Sequence, residues 1–137
     1  MTIDELLEEF AELGDWDDQC DYLIDLGMEL PKLPDSAKTE KNRVHGCQSN
    51  VWLVAEIKST CPPILEFVAN SDAIIVNGLI AVLTILYSGH SPREVLDIDA
   101  HAVFAKLGLE RHLSSQRRNG LYGMVERIRR FAAEAAA

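Results

Sequence analysis

The stretch VWLVAEIKSTCPPILEFVA, residues 51–69, decides how the middle of the chain folds. β-Branched and aromatic residues occur in its first part, and Glu56 and Lys58 fall on the face opposite Val51, Leu53, Ala55 and Ile57, which predicts a strand over residues 51–58 with one buried face. Cys61-Pro62-Pro63 turns the chain, and residues 64–69 predict a second strand. Because the connection is too short for a crossover, we expect the two strands to pair antiparallel. The predicted inward face of the first strand consists of Val51, Leu53, Ala55 and Ile57.

The residues that follow the two strands predict a third strand and then only helices. After the turn Asn70-Ser71-Asp72, we expect residues 73–76 to form a short strand that runs directly into an apolar helix. The helices are predicted from apolar residues at helical spacing and from capping signals. They cover residues 78–87, closed by Gly89; a short stretch opened by Ser91-Pro92-Arg93-Glu94; residues 100–107, ended by Gly108; and a final helix from about Ser114 to the C-terminus.

The residues before the strands predict two amphipathic helices and a polar loop. Thr2 and Glu5 have the spacing of a capping box, and Gly14 ends the first helix. Acidic residues after Gly14 favour a second helix start, and the run 35–43 has no periodicity, which is typical of a solvated loop. The predicted inner stripe of the second helix is Trp16, Cys20, Leu23 and Gly27. This order predicts one α+β domain over residues 1–137, in which a small antiparallel three-stranded sheet packs against helices on one face.

The composition restricts the partner and the compartment. The 137 residues include 13 basic and 22 acidic side chains, a net charge of −9, and 47% are hydrophobic, enough for one core. Nucleic acids and anionic membranes are bound by clustered Lys and Arg, so we expect neither, and instead a positively charged protein surface or a small molecule. The longest apolar tract, residues 73–87, is shorter than the ~18–20 residues of a membrane span. The N-terminus lacks signal and transit features, which predicts a cytoplasmic protein.

The three cysteines differ in what their surroundings indicate. Their odd number and the lack of a CxxC pair argue against a disulfide framework and a zinc ribbon, so we expect thiols in a reducing compartment and no metal site. Cys20 fits the inner stripe of its helix, and Cys61 lies in the turn between the strands. Cys47 is therefore the candidate for chemistry.

The loop around Cys47 is the densest cluster of reactive and polar residues in the chain. It reads Arg43-Val44-His45-Gly46-Cys47-Gln48-Ser49-Asn50. Gly46 permits close backbone approach, and Arg43 and His45 bring positive charge near the sulfur, which favours a thiolate. Most unpaired cysteines are small buried hydrophobic residues, and composition alone favours that interpretation. The position of Cys47 on a polar loop favours a reactive thiol instead.

Three blocks of sequence, in order along the chain, carry a family resemblance. They are Val44-x-Gly46-Cys47-Gln48-Ser49-x-Val51-Trp52, then Ser71-Asp72-Ala73-x-Ile75-Val76-x-Gly78-Leu79-Ile80-Ala81, then Leu113-Ser114 with Arg117, Gly120 and Leu121. Together they resemble the SufE-like family of cysteine-desulfurase partners over nearly the whole chain. Two residues depart from the family pattern: Asn77, where a basic residue is common, and Gln116, where serine is common. The first departure puts a charge contact to the desulfurase in doubt.

The resemblance implies a SufE/IscU-like fold and a sulfur-acceptor protein. In the family, the cysteine of the Gly-Cys-Gln motif, here Cys47, takes a persulfide from a SufS-like or CsdA-like cysteine desulfurase and is shielded in the free protein. The chain then acts with a pyridoxal-phosphate enzyme rather than as a stand-alone enzyme, and it needs no cofactor or metal of its own. A downstream acceptor such as an iron–sulfur scaffold takes the sulfur. We expect a monomer or a weak homodimer.

Seven residues are candidates for contact with the desulfurase, namely Arg43, His45, Gly46, Gln48, Ser49, Asp72 and Arg117. Arg43 and Arg117 either help electrostatically and in docking, or form ordinary surface salt bridges. Asp72 either contacts the partner or caps a turn or helix. Gln48 and Ser49 either bind the loop backbone or meet the partner, and a loop histidine such as His45 is more often a surface residue than a catalytic one.

Two alternative functions stay open at this point. An IscU-type iron–sulfur or zinc-binding scaffold needs several converging thiolates, and with Cys20 on a core stripe only Cys47 and Cys61 remain for it. A non-catalytic regulator would bind a desulfurase and change its rate without accepting sulfur. For the sulfur itself the destinations are iron–sulfur cluster assembly, which we favour, and tRNA modification.

Overall fold

A computed structural model describes residues 1–45 and 49–136 of the chain. The described part holds seven α-helices, two β-strands and two short 3₁₀ turns. In chain order they are α1 (Ile3–Leu13), α2 (Trp16–Met28), the turns Asp35–Ala37 and Glu40–Asn42, β1 (Val51–Lys58), β2 (Ile64–Ser71), α3 (Ile74–Tyr87), α4 (Pro92–Asp97), α5 (Ala100–Leu107), α6 (Leu109–His112) and α7 (Ser115–Ala136). The architecture is α+β, as predicted.

The first two helices begin and end where the capping residues predict. The Thr2 hydroxyl accepts the backbone N–H of Glu5 at 3.2 Å at the start of α1, and Gly14 ends that helix with φ +81°. This φ lies in the region that glycine adopts without strain. The carboxylate of Asp15 then accepts the backbone N–H of Asp18 at 2.9 Å and opens α2. Both N-caps satisfy backbone donors that a helix leaves unpaired in its first turn.

The two strands form an antiparallel ribbon, as predicted. Val51 pairs with Ser71 at one end and Lys58 with Ile64 at the other. The burial of β1 alternates, with Val51 and Leu53 buried and their neighbours more exposed. Single bridges flank the ribbon, Arg43 beside Trp52 and His90 beside Leu65. The first strand has the predicted bounds, and the second continues through Asn70 and Ser71, which were predicted to lie in a turn.

The predicted third strand over residues 73–76 is wrong. Residues 74–76 form the first turn of α3, and within residues 1–45 and 49–136 the sheet has two strands. The side chain of Asn77 satisfies both backbone groups of Ser71, accepting its N–H at 2.7 Å and donating to its carbonyl at 3.0 Å. These bonds fix the first turn of α3 against the end of β2, so tertiary contacts override the strand propensity of the β-branched residues. Asn77, a departure from the family pattern, has this local role.

The helix α3 is the buried centre of the molecule, as its apolar sequence predicts. Nine of its residues are buried, among them Leu79, Ile80, Val82 and Leu83. It packs against α2, where a Cβ built on Gly78 would lie 2.7 Å from the carbonyl oxygen of Leu23. The two backbones are therefore in direct contact. Among the helices of the described residues, none is long and apolar enough to span a bilayer.

We predict that Asn70→Ala lowers the free energy of unfolding by about 1–3 kcal/mol. Asn70 is 7% exposed, and its side chain joins β2 to the loop after α2, accepting the N–H of Leu33 at 2.5 Å and donating to the carbonyl of Pro31 at 2.9 Å. Truncation leaves partly buried backbone groups unpaired. Chemical denaturation measures the effect, with Asn119→Ala on the exposed face of α7 as the control. Equal unfolding midpoints for the two variants would contradict the prediction.

Candidate functional site

The predicted acceptor and its two neighbours, Gly46, Cys47 and Gln48, lie outside the described residues. Their roles therefore stay predictions. The residues on both sides are described, and they show how the ends of the loop are held. We call residues 45–50 the acceptor loop.

The two ends of the acceptor loop meet at the edge of the sheet. Val44 is buried, with 3% exposure, and its backbone N–H donates to the carbonyl of Val51 at 2.9 Å. Arg43 forms an antiparallel bridge with Trp52 beside this bond. The chain therefore leaves the edge of β1 after Val44 and returns to it at Val51.

The helix α7 holds the chain that enters the loop. From this helix, Arg127 donates from Nη1 to the carbonyl of Arg43 at 3.1 Å and from Nη2 to the carbonyl of Lys41 at 2.9 Å. One turn earlier, a Cβ built on Gly123 would lie 3.1 Å from the carbonyl oxygen of His45. The backbone of residues 41–45 thus lies directly against α7.

Asp72 holds the chain that leaves the loop. Its carboxylate accepts the backbone N–H of Asn50 at 3.2 Å and the side-chain amide of Asn50 at 2.9 Å. The backbone N–H of Asp72 donates in return to the carbonyl of Asn50 at 3.3 Å. The helix cap considered for Asp72 is not what the structure shows, because the N-cap of α3 is Ala73. Asp72 anchors the loop to the start of α3, and its exposed side chain also remains at the surface.

A cavity of about 240 Å³ lies beside the loop end at Ser49. Its wall is formed mainly by α3 and the first half of α7, and it combines apolar side chains with polar ones, including one cation. The lining includes Ser49, Val76, Leu79, Ser114, Gln116, Arg117, Gly120, Leu121 and Met124. The structure therefore brings together two of the predicted site residues, Ser49 and Arg117, at one cavity.

The remaining described candidates have ordinary local contacts. His45 Nε2 lies 3.2 Å from Glu40 Oε1, with both side chains about 70% exposed, and such an exposed pair contributes little to stability. Arg43 is held through its backbone, by the bridge to Trp52 and by Arg127. The backbone N–H of Arg117 donates to the Ser114 hydroxyl at 3.3 Å in the first turn of α7, and its side chain is exposed.

The other two cysteines do not line the cavity, although Arg117 lies within electrostatic reach of Cys20. Cys20 is half-buried in α2, and burial raises the pKa of its thiol above the usual value, with further increases from Asp21 and Asp17 that Arg117 opposes. Cys61 is exposed between β1 and β2. Neither belongs to a group of three or more His, Cys, Asp or Glu residues arranged to hold a metal, since no such group occurs in the described part of the chain.

Comparison with known proteins identifies the family. The model of the family described as "SufE: Fe-S metabolism associated domain" matches residues 4–132. This chain belongs to the SufE family. An uncharacterized SufE-like protein of Rhizobium meliloti is 43% identical over 129 residues, which cover 93% of this chain and 92% of that protein. An uncharacterized SufE-like protein of Rhizobium etli is 44% identical over 137 residues, which cover 99% and 93%.

The fold of this SufE-family chain also occurs in a solved structure. The solution structure of a hypothetical protein from Thermus thermophilus superposes with a TM-score of 0.78 at 21% identity, and the match covers 99% of this chain and 98% of that one. The family resemblance predicted from the three sequence blocks is confirmed, and it associates the chain with Fe–S metabolism.

Sequence reasoning missed three residues that hold the loop of this SufE-family protein. Asn50 lies in the predicted loop segment, but the sequence indicates no role for it, and Gly123 stands out only as a weak point of the final helix. Arg127 has no distinguishing signal at all. Its partners Lys41 and Arg43 lie 86 and 84 residues earlier in the chain, and no local pattern reports a contact over that separation.

Proposed function

We propose that the chain accepts a sulfur atom from a cysteine desulfurase on Cys47 and passes it on for iron–sulfur cluster assembly. The observation that carries this proposal is the way the described residues hold the chain on both sides of the Gly-Cys-Gln motif. Both ends of the acceptor loop are anchored, by Arg127 on one side and Asp72 on the other, and Ser49 lines a cavity with Arg117. Cys47 is two residues along the chain from Ser49.

The proposed reaction is a thiol exchange at sulfur. The desulfurase cysteine carries a persulfide, and the Cys47 thiol first loses its proton to solvent or to a base of the partner. The Cys47 thiolate then attacks the outer sulfur in line with the S–S bond. That bond breaks, its electron pair leaves on the desulfurase cysteine as a thiolate, and Cys47 becomes the persulfide. No external oxidant or reductant is consumed, and the partner's pyridoxal phosphate supplies the C–S cleavage that precedes this step.

Arg117 is the proposed electrostatic aid to this exchange. Its exposed side chain lies at the edge of the cavity that Ser49 lines. A guanidinium near a thiolate or a persulfide anion favours the charged form. The apolar side chains that α3 and α7 contribute to part of the cavity reduce contact with solvent there, which protects a sulfur species that is easily oxidised or reduced. Arg117 therefore favours loading of Cys47, and the cavity favours retention of the sulfur.

The proposed partner surface combines the loop and its supports. It includes Arg43, His45, Gly46, Gln48, Ser49, Asp72 and Arg117. The helices α1 and α2 carry many Asp and Glu residues and no Lys or Arg. With a net charge of −9, the protein is steered towards a positively charged surface. We propose that a SufS-like or CsdA-like desulfurase offers such a surface and that the cytoplasm is the compartment.

The proposed function predicts sulfur on one cysteine of three. After incubation with a cysteine desulfurase and free cysteine, we expect the intact mass to increase by whole sulfur atoms, and peptide analysis to place them on Cys47. Cys20 and Cys61 serve as controls within the same molecule, one half-buried and one exposed. An unchanged mass, or sulfur on Cys61 to the same extent as on Cys47, would refute the proposal.

A further inference from the structure

The segment that enters the acceptor loop lies between β1 and α7 and contacts both. The carbonyls of Lys41 and Arg43 accept hydrogen bonds from Arg127, and the carbonyl of His45 lies against Gly123 of the same helix. The carbonyls of residues 41, 43 and 45 therefore all lie on the side of the segment that faces α7. The N–H of Val44 points the other way, to the carbonyl of Val51 at 2.9 Å.

The two hydrogen bonds from Arg127 need the shape of an arginine side chain. Its donors Nη1 and Nη2 reach two carbonyls that are two residues apart in sequence, at 3.1 and 2.9 Å. The planar guanidinium presents such donors in a fixed fork, whereas a lysine has one ammonium group. Arg127 is half-buried, and hydrogen bonds from a charged donor are stronger than those from a neutral one. The helix thus holds the chain two residues before the loop begins.

We propose that Arg127 is a positioning residue for the acceptor loop, an inference that rests on the proposed function. By fixing the carbonyls of Lys41 and Arg43 on α7, it sets where His45 and the residues after it leave the sheet. Transfer of sulfur between two proteins requires an aligned approach of the thiolate to the S–S bond, and a misplaced nucleophile loses much of the advantage of proximity. The described contacts of Arg127 are with the backbone of Lys41 and Arg43, so we propose that it acts through the chain that carries Cys47.

The test is the rate of alkylation of each cysteine by iodoacetamide in the full-length protein without a desulfurase. We expect Arg127→Gln to speed alkylation of Cys47 by about threefold to tenfold relative to Cys61, the factor that corresponds to a net loss of roughly one hydrogen bond of ordinary strength. Removing the anchor widens the range of positions that the loop samples. Alkylation of Cys20 measures whether α2 has loosened, and we expect its rate to stay unchanged. Arg127→Lys restores one of two hydrogen bonds and is expected to give an intermediate ratio.

The matched control is Arg129→Gln. Arg129 lies on the same helix and donates to the carbonyl of Leu96 at 3.0 Å, so its loss removes the same charge and a similar hydrogen bond far from residues 41–45 along the chain. We expect the ratio of Cys47 to Cys61 alkylation to match that of the unaltered protein. An unchanged or lower ratio in Arg127→Gln would overturn the inference. A parallel rise in the alkylation rates of Cys20 and Cys61 would also overturn it, because it indicates that the whole fold has loosened.

This experiment separates the inference from the proposed function because alkylation needs no sulfur donor. If the unaltered protein takes no sulfur from a desulfurase, the proposed function fails while the alkylation ratio still reports the anchor. If sulfur loads on Cys47 and the ratio does not respond to Arg127, the function stands and the inference fails. Where both hold, we also expect slower sulfur loading of Arg127→Gln at saturating desulfurase, with the half-saturating concentration unchanged.

Discussion

Cys47→Ser is expected to reduce desulfurase-dependent sulfur loading to background while leaving binding of the desulfurase intact. A serine hydroxyl is close in size to a thiol, but its high pKa leaves almost no anion near neutral pH, and oxygen does not carry a stable persulfide analogue under these conditions. The substitution removes the proposed nucleophile and keeps the loop length and its anchors. Mass analysis after incubation with a desulfurase and cysteine measures the loading. Co-elution with the desulfurase measures the binding.

The same variant separates an acceptor from a non-catalytic regulator. A regulator acts through contact alone, so Cys47→Ser would still accelerate sulfide release by the desulfurase. An acceptor loses that acceleration because the sulfur has no thiol to receive it. Cys61→Ser is the matched control, since Cys61 is exposed, and it is expected to behave as the unaltered protein does. Full acceleration by Cys47→Ser would overturn the acceptor proposal and favour the regulator.

The local patterns of the sequence were sufficient for β1 and for several of the helix ends. β1 occupies residues 51–58 as predicted, because the alternation of hydrophobic residues and the turn at Pro62-Pro63 indicate the same end for the strand. The capping box of α4 is present, with Ser91 and Glu94 bonded reciprocally. Gly108 ends α5 in a left-handed conformation with φ +73°. These features depend on neighbours within a few residues, which a sequence shows directly.

The features that the sequence did not reveal depend on side-chain contacts made in the folded chain, or are too short to leave a pattern. Residues 74–76 have strand propensity, but the contacts of Asn77 with Ser71 make them helical. The short helix α6 has no sequence signal because four residues carry too little periodicity. At the site, the type and position of Arg43 and Asp72 predict partner contacts. Their roles in holding the loop follow from bonds to Arg127 and Asn50, which only the folded chain brings close.

The site depends on the placement of α3, because this helix supplies one wall of the cavity beside the loop. Val76 and Leu79 line that cavity, and Gly78 lies between them on the face that meets α2. A Cβ on Gly78 would lie 2.7 Å from the carbonyl oxygen and 2.8 Å from the carbonyl carbon of Leu23. Both are backbone atoms, which do not move aside without moving α2. The contact of two backbones therefore fixes the distance between α2 and α3, and with it the position of the wall.

We expect Gly78→Ala to lower the free energy of unfolding by about 3 kcal/mol, at the upper end of the usual cost of overpacking a core. Helix propensity alone predicts that Gly78→Ala raises the free energy of unfolding, since alanine is favoured over glycine by about 1 kcal/mol in a helix interior. Denaturant unfolding decides between the two, with Ala133→Gly on the exposed face of α7 as a measure of propensity alone. If Gly78→Ala is as stable as the unaltered protein, α2 and α3 can move apart at no cost in stability. Their backbone contact then does not fix the position of the cavity wall. If it is destabilised as expected, folded Gly78→Ala is also expected to load sulfur more slowly, because Val76 and Leu79 move with the helix.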